Sequence, residues 1–188
     1  MPIYLKTFKL FFVGLILCFS TFSFSQHTES SPYIVPKNTF IVFDGQLNEA
    51  EWTQMEVLSF VQFQPLYSKE CTEELSVYLS YDQNYLYFSG RLYVSSPDLI
   101  MEQSYKRDGE GGATDYFGLV IDSYNDKENA VAFFTSPTGH RWDATISDDA
   151  SGDNFMSTSW NTYWDALTHV TEKYTDVEIR IPWSSLKF

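Results

Sequence analysis

Arg141-Trp142-Asp143, with Trp160 and Trp164 further along, is the set of side chains in this chain best suited to holding a ligand. Flat aromatic faces stack on the C–H groups of a ring, and planar polar side chains beside them hydrogen-bond hydroxyls. That combination suits a neutral, polyhydroxylated molecule. In an extended strand Arg141 and Asp143 share one face and Trp142 takes the other. Two arrangements follow. With Trp142 in the core, Arg141 and Asp143 form a polar platform; with the strand reversed, Trp142 lies in a groove. Trp160 sits in Ser157-Thr-Ser-Trp160-Asn161, a polar loop setting in which a tryptophan can serve as a ligand platform.

A hard cation is the second chemistry to consider. Calcium needs several oxygens converging on one point. Asp122, Asn125 and Asp126 crowd one turn, and Asp148, Asp149, Ser151 and Asp153 crowd another, with Gly152 allowing a tight bend. Neither has the full calcium-loop pattern, and such residues also fill ordinary turns. His27, His140 and His169 show no transition-metal spacing. No Ser-His-Asp order, phosphate loop or zinc motif appears, and no carboxylate pair stands out for glycoside hydrolysis.

The elements that must position these groups are strands. Leu75, Val77, Leu79 and Tyr81 fall on one strand face, and Asp82-Gln83-Asn84 makes a turn. Leu86, Phe88, Gly90 and Leu92 then point one way, with Tyr87, Ser89, Arg91 and Tyr93 opposite. Val57–Phe63, Asp115–Asp122, Asn129–Ser136, Arg141–Ile146, Trp164–Thr171 and Asp176–Ile181 read as further strands. No long helix is indicated. About nine short strands with regular turns predict an all-β fold, an antiparallel β-sandwich. Aromatic residues on both faces of several strands imply that one face is core and part of the other is covered or binds something.

Residues 1–25 read as an export signal. Lys6 and Lys9 give a basic start, Leu10–Phe19 an apolar run too short to span a membrane, and Ser23-Phe24-Ser25 a cleavage site. Residues 26–38 read as a linker with Pro32 and Pro36, and 39–188 as the folded domain. The signal carries Cys18 away, so Cys71 is left alone and no internal disulfide forms. Removing Lys6 and Lys9 from 12 basic residues leaves 10 against 25 acids, a net charge of −15. That surface repels nucleic acid and anionic lipid. Phe188 follows a turn that should feed another strand, so a C-terminally truncated chain is expected.

Four stretches appear in order: Ile41-Val-Phe-Asp44-Gly45 with Glu49-Ala-Glu-Trp52, Tyr81-Asp82-Gln83-Asn84-Tyr85-Leu86-Tyr87, Asp115-Tyr-Phe-Gly-Leu-Val-Ile-Asp122, and Ile181-Pro182-Trp183-Ser-Ser-Leu186. Together they resemble a family 9 carbohydrate-binding module, or the similar domain that opens many large exported proteins of Bacteroidetes. The resemblance covers roughly residues 39 to 188. It implies a DOMON-like (jelly-roll) sandwich that grips glycan ends between two tryptophans and holds structural calcium. It also implies an oligo- or polysaccharide partner, and a C-terminal or partner outer-membrane barrel. Such a non-catalytic module serves polysaccharide breakdown by an attached or partner glycoside hydrolase. The alternative is a structural N-terminal domain of a barrel protein that binds no sugar. The chain departs from the pattern where the family contacts sugar. One clamp tryptophan position holds Gly112, a sugar-contacting glutamate position holds Gly118, and the second clamp tryptophan lies beyond Phe188. Haem, bound by some DOMON-like domains, would need a ligand pair, and Met101, Lys106 and Met156 lack the spacing for one.

Overall fold

The computed structural model describes residues 37, 41–65, 67–102, 107 and 114–186. The proposed signal (1–25), most of the linker and Gly112 lie outside them. These residues belong to one compact unit, Val35–Phe188. The strands are β1 (Leu75–Tyr81), β2 (Tyr85–Tyr93), β3 (Phe117–Ile121), β4 (Ala130–Thr135), β5 (Arg141–Ile146), β6 (Met156–Ser157), β7 (Asp165–Val170) and β8 (Tyr174–Pro182). One five-residue helix, α1 (Ala50–Gln54), precedes them.

The strands form two antiparallel four-stranded sheets. Sheet A has the order β1-β2-β8-β7 and sheet B the order β3-β4-β5-β6. The β1–β2 register pairs Leu75 with Leu92, Val77 with Gly90 and Leu79 with Phe88, so the apolar sets of both strands share a face. Asp82 shapes the hairpin turn by accepting from the N–H groups of Asn84 and Tyr85 and from the Tyr87 hydroxyl. Burial alone would raise the Asp82 carboxyl, but these bonds hold it below the usual range. The core lies between the sheets. Val77, Phe88, Val177, Ile179 and Ile181 meet Val131 and Phe133, and Trp164 closes the far side. Each such side chain contributes roughly 1.5–3 kcal/mol through burial. Phe117 stacks on Phe88 at 4.7 Å, over Gly90, where an added Cβ would sit 2.8 Å from its ring.

The sequence reading and the structure part at Val57–Phe63. That segment alternates but joins no sheet. It makes one bond to β1, Leu58 N–H to Val77 O at 2.8 Å, and Val57, Phe60, Val61 and Phe63 remain exposed. Period-two patterning shows that a segment can be a strand; a partner's free edge and matching register decide whether it becomes one.

Residues 41–55 lie across the outer face of sheet A. Gly45 makes this possible. Its φ is +86°, and a Cβ there would meet the Leu167 Cβ at 3.1 Å. Beyond the turn Leu47 and Trp52 pack with Tyr87 as a second, smaller core. Trp52 is 1% exposed, and its indole N–H donates to Glu49 Oε2.

Candidate functional site

Of the five candidate ligand residues, four point inward and one outward. Phe133 pairs with Asp143 across β4 and β5, so Asp143 shares the core face. Its carboxylate is fully buried and accepts from three donors. Arg107 Nη2 reaches Oδ1 at 2.6 Å, Trp164 Nε1 reaches Oδ1 at 3.2 Å, and Thr162 N–H reaches Oδ2 at 2.8 Å. Arg141 also lies on that side. It donates to Trp164 O and Asp165 Oδ1, and its guanidinium lies 5.4 Å from the Trp164 ring centre. Trp164 is 1% exposed. Trp160 packs edge-on against Phe133 at 6.0 Å. This arrangement joins the chain after β6 to the interior of sheet B. A buried carboxylate with both oxygens engaged is positioned to organise structure.

Trp142 stands apart on the outer face of sheet B. There it stacks on Phe134 at 4.5 Å and 10°, and Tyr116 meets it edge-on at 6.0 Å. Gly118 is the reason the stack can form. A Cβ at that position would sit 2.5 Å from the Phe134 ring and 2.3 Å from Phe133 O. Position 118, where the resemblance places a sugar-contacting glutamate, is therefore covered by the Phe134 ring. The Trp142 indole N–H is buried without a hydrogen-bond partner. Around these aromatics the face is apolar, with Ala132 and Ala144 fully buried. The sequence reading named Trp142 but not Phe134 or Tyr116. The signal was available, because Phe134 and Trp142 face each other across a hairpin whose outward positions are all apolar.

The first acidic turn is self-satisfied. Asp122 accepts from Asp126 N–H and Lys127 N–H. Asp126 accepts from the N–H groups of Glu128 and Asn129 and from Asn129 Nδ2. The Asn129 bonds come first among those that hold the Asp126 carboxyl below the usual range. Asn125 takes a left-handed φ of +53°. Among the described residues no three His, Cys, Asp or Glu side chains converge as a metal site. The bonds from the loop's own N–H groups account for the turn without an ion. The second acidic loop meets the first through Asp149 N–H to Glu128 O at 3.0 Å.

The outer face of sheet A carries charge that sequence reasoning missed. Arg91 grips Asp176 with Nε at 2.7 Å and Nη2 at 2.8 Å. Asp176 also accepts Leu47 N–H, while Arg91 reaches Leu47 O. Glu178 Oε2 accepts the N–H groups of Asp44 (2.9 Å) and Gly45 (2.7 Å), and its Oε1 has no partner. Burial pushes the Glu178 carboxyl up to about 7; the two N–H bonds oppose the rise, and nearby Glu49 and Asp44 add to it. Arg180 pairs with Asp165 at 2.9 Å and lies over the Phe43 ring at 4.2 Å.

No protein-family model matches this chain, and no curated protein matches it. Among solved structures it is similar to a family 9 carbohydrate-binding module from Caldicellulosiruptor kristjanssonii, determined in complex with glucose. That match has 16% identity and a TM-score of 0.48, and covers 82% of this chain and 71% of that one.

Proposed function

We propose that this is an exported, non-catalytic module that binds a glycan on the outer face of sheet B. The Trp142–Phe134 stack carries the reading. It is a part-exposed aromatic surface with Tyr116 at its edge, on the apolar outer face of sheet B. Stacking of a sugar ring on such a surface supplies apolar contact, and nearby polar groups orient the hydroxyls. An attached or partner glycoside hydrolase would then be held close to its polysaccharide. Gly118, in place of the sugar-contacting glutamate of the resembled family, favours instead the second reading given below.

Calorimetric titration against a panel of oligosaccharides tests this. Saturable binding is expected, abolished by Trp142→Ala and kept by Trp160→Ala so long as that variant folds. A folded sample that binds no oligosaccharide removes the proposal. A second reading, a structural domain that docks onto an outer-membrane barrel and binds no sugar, is favoured by a different observation. Val61, Phe63 and Tyr67 are 59%, 75% and 75% exposed along one segment, which would suit an apolar contact.

A further inference from the structure

A cleft of about 270 Å³ opens at one end of the sandwich, away from Trp142. Its walls are inward-facing side chains of both sheets: Leu75, Leu92 and Val177 from sheet A, and Phe117 from sheet B. Its other lining groups set a definite charge. Glu73, Glu74 and Asp115 all line it and are all exposed, so they stand where it meets solvent. Among the described residues none of the three is in a salt bridge, and no Lys, Arg or His lines the cleft. Asp115 is positioned by Met101, whose N–H donates to Oδ2 at 2.9 Å.

A second observation lies deeper. Thr175 lines the same cleft, is 5% exposed, and its hydroxyl has no hydrogen-bond partner. It stands on the inward face of β8 with Val177, and a turn about χ1 exchanges its methyl for its hydroxyl. The neighbouring Thr135 and Ser136 hydroxyls are committed. Thr135 donates to Ser136 O, and the Ser136 hydroxyl contacts Thr138 and accepts His140 N–H.

We propose that this cleft binds a small organic ammonium whose apolar body is one ring or a short branched chain. The body fills the space between the sheets, and the cation sits among Glu73, Glu74 and Asp115. The volume decides the size class. A cavity of roughly 150 Å³ holds benzene, and pockets for larger ligands start near 300 Å³. The lining decides the chemistry. A sugar buried between the sheets would give up its hydrogen bonds to water and recover few there, because the walls are Leu75, Leu92, Phe117 and Val177. An anion would meet three carboxylates and, among the described lining residues, no base. A free amine and the N-terminus of a polypeptide with an apolar first residue share the chemistry that fits. This site is separate from the proposed glycan surface; Tyr116 borders both, but Trp142 does not line the cleft.

The test compares three probes of one shape on the purified full chain: cyclohexylmethylamine, cyclohexylmethanol and cyclohexanecarboxylate, titrated by calorimetry at low and high salt. The amine is expected to bind on the order of tenfold more tightly than the alcohol at low salt, with the carboxylate weakest and the amine's advantage shrinking at high salt. In the triple variant Glu73→Gln, Glu74→Gln, Asp115→Asn, the amine should fall to the alcohol's affinity while the alcohol is unchanged. These are exposed positions, and asparagine can still accept Met101 N–H, so the fold is kept. Thr175→Val should cost the amine a few-fold, and Trp142→Ala should leave it untouched. Equal binding of all three probes, no saturable amine binding, or an amine preference that survives the triple variant overturns the proposal. A leucyl peptide with a free N-terminus, compared with its acetylated form, assigns the source. Binding by the free form alone identifies a polypeptide end, and binding by neither identifies a free amine.

Discussion

The outer face of sheet A carries Arg91, Asp176 and Glu178 and is roofed by residues 41–55; the outer face of sheet B carries Tyr116, Phe134 and Trp142 in its place. Both faces are back surfaces of the same sandwich, and the difference lies in what each needs once water is displaced. Buried carboxylates need donors, and the main-chain N–H groups of Asp44, Gly45 and Leu47 supply them, so that face is tied to one segment of the chain. Aromatic side chains need only contact. They can pack on one another, as Phe134 does over Gly118, and still present a surface to something else. The polar back is committed to the fold; the aromatic back is the one on which we place the proposed glycan surface.

The sharpest way to break this contrast is to cut the roof's anchors. Asp176→Ala leaves Arg91 without its carboxylate and Leu47 N–H without its acceptor, and should destabilise the protein by ~3–5 kcal/mol in chemical denaturation. Trp52→Ala should cost a similar ~3–5 kcal/mol by opening a cavity beneath the roof. A loss under about 1 kcal/mol in both, against that estimate, would mean that the roof is dispensable.

The next effect is a pH dependence confined to the sheet A side. The folded protein binds the Glu178 proton more tightly than the unfolded chain, whose carboxyl titrates near 4.5. The stability this contributes is therefore full below about 4.5, falls as pH rises to about 7, and is flat beyond. The total change is at most ~3 kcal/mol. Denaturation midpoints from pH 4.5 to 8 should show the decline, and Glu178→Gln should flatten it. An unchanged slope in that variant would assign the titration elsewhere.

On the sheet B side the effects on stability are smaller and those on binding larger. Gly118→Ala forces a Cβ against Phe133 O and the Phe134 ring, and should cost ~1–3 kcal/mol while weakening glycan binding by disturbing the stack. Trp142→Ala should cost only ~1 kcal/mol, because the ring is part-exposed and its N–H is unpartnered, yet remove sugar binding altogether. If Trp142→Ala destabilised the protein as much as Trp52→Ala, the two faces would be alike and the contrast would fail.

Much of the architecture could be read from the residues. The β1–β2 hairpin, its register and its Asp82 turn follow from alternation plus an Asp-Gln-Asn break, and Arg141–Ile146 has the bounds its pattern suggests. The Val57–Phe63 strand was the exception, because alternation cannot report whether a neighbouring edge is free. The ligand residues were harder. Alternation separates Trp142 from Arg141 and Asp143 but does not say which side faces the core, and that choice decides the site. The structure turns Arg141 and Asp143 inward because Asp143 must meet Trp164 and Thr162, contacts about twenty residues distant. The anchors of the roof were unreadable for the same reason. Glu178 and Asp176 look like the outward positions of an ordinary strand until a segment more than a hundred residues earlier is laid over them.

That separation has a kinetic consequence. Asp44 and Glu178 are 134 positions apart, and Leu47 and Asp176 are 129 apart. β2 likewise finds β8 only at the other end of the chain. Such contacts give a high contact order and slow folding, since a large loop must close before any of them forms. A chain delivered N-terminus first presents residues 41–55 before it presents the carboxylates that hold them. Residues 41–55 must wait for β8, so the roof of sheet A is set only after that strand has emerged.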